Sequence, residues 1–233
     1  MWIDLNCDLG EGCPHDAELM QLITSANIAC GGHAGSVATT LQTLHLARQF
    51  DVQVGAHPGW LDRAQFGRRD LDVPEPIIEQ IVSYQVDVLL GLAALAGVTV
   101  RYVKPHGALY NQACRSDAVA RPVVLAVEKA RLALMGLPGS RLEALAAGRC
   151  PFVAEGFADR RYQEDGSLVP RSRPDAFIDS PADAVRQARQ LIDQRGVKTL
   201  CVHGDNPQAL AFVRELRRAL IEAGFHISPF SHS

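Results

Sequence analysis

Residues 26–35 read ANIACGGHAG. An apolar run suited to a buried strand halts at two glycines, presents His33, and halts again at Gly35. Glycine adopts backbone angles closed to other residues and lets neighbouring atoms approach the main chain, so a histidine framed by glycines is held in a turn at the end of a strand. Ser36 follows, well placed to cap a helix. The stretch therefore reads as a strand, a polar turn and the start of a helix. Taken singly, His33 is equally well a core histidine satisfied by a backbone carbonyl, so its meaning depends on whether the pattern recurs.

It does recur. The segments WIDLNC (2–7), SANIAC (25–30), VQVGAH (52–57), TVRYVK (99–104), LALMG (132–136), PFVAEG (151–156) and KTLCVHGD (198–205) alternate with helical stretches. Such alternation predicts a parallel sheet with crossover helices. Ser180-Pro181-x-Asp183 supplies a cap, a proline for the first turn and an acidic third residue. Val185, Ala188, Leu191 and Ile192 then share a face, and Gly196 closes that helix. Asn206-Pro207 opens another helix, carrying Leu210, Val213, Leu216 and Leu220. With 233 residues and no linker-like stretch, the chain fits a single βα-barrel domain over residues 1–233. Asp165-Gly166 within RYQEDGSLVPR (161–171) signals a hairpin, placed as a flap on the loop after the sixth strand. The long connection from His57 to Val73 reads either as a functional loop or as a plain surface excursion.

Composition bounds the function. Hydrophobic residues make up 47% and charged residues 21%, with a net charge of −3, which implies no nucleic-acid surface. The opening MWIDLNCDLGEG has no basic stretch followed by an apolar one. The longest uncharged apolar run, VLLGLAALAGVTV (88–100), falls short of the ~20 residues a bilayer requires, so no membrane attachment is expected and the chain reads as cytoplasmic. Six cysteines are scattered without a CxxC pair, which argues against a zinc ribbon or a disulfide framework.

Strand parity sorts the polar residues. Ile3 and Leu5 share one face of the first strand; Asp4, Asn6 and Asp8 share the other. The same split sets Asn27 and His33 apart from Ile28 and Cys30, and Gln53 and His57 apart from Val52 and Val54. Likewise Tyr102, Lys104 and His106 separate from Arg101 and Val103, and Cys201, His203 and Asp205 from Leu200 and Val202. In a βα barrel the active site lies at the C-terminal ends of the strands, where an inert interior would carry branched apolar side chains. His33, His57, His106 and His203 all fall there. The remaining histidines, at 15, 45, 226 and 232, read as surface or packing residues. Imidazoles, carboxylates and one lysine at a barrel mouth suit proton transfer on a polar substrate, with Lys104 stabilising an anion. Two histidines and a carboxylate could also hold a divalent metal that activates water, but no HxH or HExxH pair fixes two ligands on one element, and no metal ligand is assigned. There is no GxxxxGK[ST] loop for a nucleotide and no GxSxG elbow.

At DLNCDLGEG (4–12), SANIACGGHAG (25–35), GAHPGW (55–60), QFGRR (65–69), VKPHGALYN (103–111), EGFADRRY (155–162), LVPR (168–171) and CVHGD (201–205), the chain resembles the family of the A-type 5-oxoprolinase subunit, also called the LamB/YcsF family. The resemblance runs through the whole chain in order. It implies an irregular seven-stranded parallel βα barrel, TIM-like and akin to polysaccharide deacetylases. It also implies ATP-dependent opening of 5-oxo-L-proline to L-glutamate, in a complex with two further subunits of B and C type that would share the ATP work. Carried onto this sequence, it gives Asp8, Glu11, Lys104 and His106 catalytic positions: a carboxylate and His106 for proton transfer, and Lys104 for the oxyanion. Asn6, His33, His57, Arg68, Arg69, Glu155, Arg160, His203 and Asp205 are the expected substrate-binding set, with an arginine forked onto the substrate carboxylate. Two other readings stand beside this one: a stand-alone metal-dependent deacetylase or amidohydrolase using His33, His57 and a carboxylate, and a non-catalytic subunit whose mouth binds a metabolite.

Overall fold

A computed structural model of the chain describes residues 1–178, 180–202 and 209–230. His203, Asp205, the Asn206-Pro207 helix start and His232 lie outside the described residues. Seven parallel strands close on themselves in sequence order: β1 (Trp2–Leu9), β2 (Ser25–Ala29), β3 (Gln53–His57), β4 (Val100–Val103), β5 (Ala133–Gly136), β6 (Phe152–Phe157) and β7 (Thr199–Val202). The ring shuts where β7 pairs with β1, Asp4 facing Thr199 and Asn6 facing Cys201. A two-residue strand that the sequence pattern did not announce, β8 (His226–Ile227), adds to the outer end of β1 beside Trp2 and Ile3. The irregular seven-stranded barrel is thus the observed fold.

Helices α1 (Asp16–Met20), α2 (Val37–Gln49), α3 (Glu75–Ala96), α4 (Gly107–Arg115), α5 (Asp117–Ala130), α6 (Arg141–Ala146), α7 (Pro181–Arg195) and α8 (Ala209–Glu222) wrap the ring. Their caps are those the sequence offers. Ser36 accepts from the Thr39 amide while the Thr39 hydroxyl accepts from the Ser36 amide, a reciprocal box at the head of α2. Ser180 accepts from Asp183 N, and Gly196 ends α7 in the left-handed conformation. Helix α3 is long and apolar enough by composition to cross a bilayer. Ile78, Val82, Val86, Leu89 and Ala93 bury one face of it, and it packs beside α2 and α5 as a core helix.

The outward faces of the strands (Ile3, Leu5, Cys7, Ile28, Val54, Val103, Leu200) join the helices in the main core. The inward faces build a second, separate packing inside the ring. Towards its base Tyr102, Ala133, Met135 and Val153 form a plug against Phe230 from the tail, whose ring centroid lies 5.2 Å from that of Tyr102. Gly55 makes room for the plug: a Cβ there would stand 2.2 Å from the Tyr102 ring. A register shift between Val54 and Gly55 brings Tyr102 opposite that glycine. The Tyr102 hydroxyl can then donate to Asn27 Oδ1 at 2.7 Å.

Asp4 is buried near the base and accepts from Thr24 and Ser25, each at 2.7 Å, and from Thr199. Burial is the dominant influence and outweighs these donors, pushing its pKa up from 3.8 to about 6. A pKa raised on folding means that its stabilising contribution is complete below pH 3.8 and is lost as the pH climbs through about 6. The span corresponds to about 3 kcal/mol. Asp4→Asn removes this titration. Its stability relative to the unsubstituted chain is therefore expected to improve by a few kcal/mol between about pH 4 and pH 7, read from paired urea unfolding curves. A constant difference across that range would show that Asp4 does not titrate between the two.

Candidate active site

The polar inner positions of successive strands meet above the plug. Asn27 on β2 donates to Asn6 Oδ1 at 2.7 Å and to Asp8 Oδ1 at 2.8 Å. Lys104, one residue past β4, brings its ammonium to Asn6 Oδ1 and Asp8 Oδ1, both at 3.1 Å, and to Glu155 Oε1 at 2.7 Å; Cys201 Sγ also lies at 3.1 Å. Tyr110 on α4 donates to the other Glu155 oxygen at 2.8 Å. Lys104 is 2% exposed and Glu155 fully buried. Burial disfavours the ammonium, but Asp8, Cys201 and Glu155 outweigh it and hold the lysine pKa well above its usual value. Lys104 is thus a fixed cation enclosed by Asn6, Asp8 and Cys201, to which it donates, and by the ion-paired Glu155. An oxyanion would have to replace one of those acceptors.

Beside this network stand three imidazoles gathered on one carboxylate oxygen. Glu11 Oε1 lies 2.9 Å from His33 Nε2, 3.3 Å from His106 Nδ1 and 3.8 Å from His57 Nε2. The His33 and His106 rings stack in parallel with centroids 3.6 Å apart, and His57 stands edge-on to both. Asp8 Oδ2 reaches His57 Nε2 at 3.3 Å. The environments push the rings apart electrostatically. Burial drives His33 down to about 4. His106 is also lowered, burial prevailing over Glu11. His57 is raised, because the neighbouring Asp8 carboxylate overcomes the same burial. For Glu11, burial opposes ionisation, but hydrogen bonds to His106 and His33 prevail and keep it below the ordinary carboxylate range.

The connection from His57 to Val73 serves this cluster. Phe66 adopts a left-handed backbone (φ 54°), and its carbonyl accepts from His106 Nε2 at 2.9 Å. Gly67 (φ 63°) follows, and its carbonyl accepts from Ala108 N at 3.0 Å. A Cβ on Gly67 would lie 2.8 Å from His33 Cβ, so the loop passes against the stacked pair with no room to spare. Trp60 Nε1 and Leu71 N both donate to Gln112 of α4, which pins the loop at either end.

An open cavity of about 730 Å³ lies over the network. Of the residues expected from sequence, Asp8, Glu11, His57, Lys104, His106, Arg68 and Arg160 line it. Asn6, His33 and Glu155 do not; all three are buried behind that lining, where they orient the groups that do. Arg69 lies apart from the others: it is exposed, outside the cavity lining, and ion-paired with Asp62 at 3.3 Å. Arg160 is 5% exposed, donates from Nη2 to Val169 O at 2.6 Å, and has a buried Nε without a hydrogen-bond partner among the described residues. Burial, reinforced by Arg171, lowers its pKa to about 10. The segment 161–171 folds over the rim: Tyr162 and Leu168 pair antiparallel, Gln163 N donates to Ser167 O at 2.8 Å, and Asp165–Arg171 face the cavity. Tyr110, Asn27 and Phe66 were not singled out from sequence. Asn27 carried the inward parity of β2 and was legible, whereas a backbone carbonyl such as that of Phe66 leaves no trace in residue identity.

Comparison with known proteins bears on the family and the fold. The A-type 5-oxoprolinase subunit of Neisseria meningitidis serogroup C is 44% identical over 241 aligned positions, covering 97% of this chain and 98% of its own. The crystal structure of a lactam utilization protein from Thermus thermophilus matches with a TM-score of 0.91 at 37% identity, covering 99% of this chain and all of that one. The catalytic domain of a peptidoglycan N-acetylglucosamine deacetylase from Eubacterium rectale shares the fold alone, with a TM-score of 0.56 at 10% identity over 98% of this chain and 88% of that one. The model of the LamB/YcsF family matches residues 3–233, strands, mouth and flap included, and the chain belongs to that family.

Proposed function

We propose that this chain is the lactam-opening component of an ATP-dependent 5-oxoprolinase, converting 5-oxo-L-proline and water to L-glutamate in the cytoplasm together with partner subunits of B and C type. One observation carries the reading: Asp8, Lys104 and His106 share the floor of a cavity whose wall holds Arg68 and Arg160, in a chain that matches an A-type 5-oxoprolinase component over nearly its full length. A five-membered lactam is a stable amide. Opening it needs a base for the attacking water, a positive group for the oxyanion that forms on the ring carbonyl, and an acid for the departing ring nitrogen. Asp8 is the base. Lys104 turns one N–H from Asn6 to the oxyanion and keeps Asp8 ionised meanwhile. Protonated as the water attacks, Asp8 passes the proton on to the departing ring nitrogen, while His106, which burial keeps neutral, is fixed in place by its Nε2–H on Phe66 O. Arg160, on the cavity wall with Arg68, is the group for the substrate carboxylate. The partner subunits would share the ATP work, in keeping with a sequence that carries no GxxxxGK[ST] loop.

The test is glutamate release from 5-oxoproline plus ATP, with the chain alone and with its partners added. Release confined to the mixture supports the reading; none in either, with all components folded, removes it. In the active mixture Arg160→Lys is expected to raise KM roughly 10-fold or more with little change in kcat, because a lysine cannot reproduce the forked hydrogen bonds of a guanidinium. Arg69→Ala is expected to change neither. An unchanged KM for Arg160→Lys would move the carboxylate elsewhere, with Arg68 the next site to substitute.

A further inference from the structure

The three imidazoles pose a problem that protein atoms alone leave unsolved. His57 Nδ1 lies 2.7 Å from Lys104 O, and His106 Nε2 lies 2.9 Å from Phe66 O. A backbone carbonyl only accepts, so each of those nitrogens carries the proton. In the neutral rings the opposite nitrogens, His57 Nε2 and His106 Nδ1, then present lone pairs to one another at 3.0 Å. The groups around them are acceptors too: Glu11 Oε1 and, for His57, Asp8 Oδ2. His33 Nε2 completes the convergence. Without a cation it donates to Glu11 Oε1, and a metal would shift that proton to Nδ1, which has no other hydrogen-bond partner among the described residues.

Lone pairs that close require a cation among them. The four donor atoms of Glu11, His33, His57 and His106 all lie within 4.8 Å of one another. Tetrahedral ligands at ~2.0–2.1 Å from a zinc-sized ion stand about 3.3 Å apart, and the distances from Glu11 Oε1 to the three rings, 2.9–3.8 Å, bracket that value. Carbonyls that fix the tautomer through the far ring nitrogen are the outer support that metal-bound histidines take. We propose that Glu11, His33, His57 and His106 bind one divalent transition-metal ion of the zinc and cobalt class. Three imidazoles and one carboxylate oxygen favour these ions over magnesium or calcium, which seek oxygen ligands. Glu11, His57 and His106 face the cavity, so the ion is reachable from it, and Asp8 stands beside the site as an outer carboxylate.

The test uses the full chain, stripped with a strong chelator and titrated with Zn²⁺ and Co²⁺. One ion per chain is expected by calorimetry and elemental analysis, with Co²⁺ giving the visible bands of a four-coordinate nitrogen–oxygen site. Zn²⁺ should raise the thermal midpoint, as any ligand of the folded state does. Glu11→Gln is the informative variant, because its amide can donate to the histidine lone pairs and keep the cluster folded without a cation. It is expected to weaken binding roughly 100-fold or more and to abolish the Zn²⁺-induced rise in midpoint. His226→Ala, at a surface position edge-on to Trp2, should bind as the unsubstituted chain does. Absence of stoichiometric binding, or binding that survives Glu11→Gln, overturns the proposal; in the former case ¹⁵N shifts showing His57 doubly protonated would identify a proton as the cation. These readouts do not depend on the lactam chemistry. Metal bound without glutamate release removes that function and leaves the site, and release from a chain unable to bind metal does the reverse.

Discussion

Lys104→Met is expected to cost the chain both its chemistry and much of its stability. The ammonium is enclosed by Asp8, on the cavity floor, and by the fully buried Glu155. Removing one partner of a buried ion pair leaves charge without compensation, a loss of about 3–5 kcal/mol. Against a typical total of about 5–15 kcal/mol, that is a large downward shift of the unfolding midpoint in urea. Turnover by the assembled complex should fall by ~10²–10³, the usual consequence of deleting an oxyanion donor. The two losses can be separated. Adding Glu155→Gln to Lys104→Met removes one of the stranded charges and should recover part of the stability, since the amide still accepts from Tyr110, yet turnover should stay low. A double variant that regained full turnover would show that the lysine acts only by holding the fold.

Asp8→Asn is expected to do the opposite, sparing the fold while stopping the reaction. The amide oxygen can keep the contacts with Lys104 and Asn27, and the amide N–H can turn to His57 Nε2, a nitrogen otherwise short of a donor. The midpoint of unfolding should therefore move by no more than ~1 kcal/mol. The base is gone, however, and turnover should drop by ~10²–10⁴ with KM for 5-oxoproline nearly unchanged. Retained turnover would pass the role of base to Glu11.

These expectations concern residues whose importance the sequence conveyed unevenly. Within the strands alternation is rigid, so Asp4, Asn6, Asp8, Asn27 and His57 could be assigned to the interior by counting alone. Lys104 and His106 lie just past β4 and kept its phase. On the connections no such period holds. Arg68 and Arg69 are neighbours in QFGRR, yet one lines the cavity and the other pairs with Asp62 on the surface, because the left-handed turn at Phe66–Gly67 decides which way each leaves the loop. Glu155 kept the strand's inward parity, but parity does not measure depth: the residue lies beneath Lys104 rather than against the cavity. The imidazole cluster escaped any search for ligand pairs on one element, since its members arrive from the turn after β1, the turn after β2, the end of β3 and the turn after β4. Only closure of the ring makes them adjacent.

The hydrogen bonds inside the ring have a direction. Asn6 Nδ2 donates to the Thr199 hydroxyl at 2.7 Å, and that hydroxyl donates to Asp4, while Asn6 Oδ1 accepts from Lys104 and Asn27. Every N–H and O–H on this path points from the mouth to the base, like one-way traffic. A proton settling on the Asp4 oxygen that faces Thr199 would meet the hydroxyl hydrogen head-on, so the hydroxyl would have to turn and accept from Asp4 as well as from Asn6. The order of donors along the barrel axis thus ties the protonation of Asp4 to the setting of one hydroxyl, without any backbone displacement.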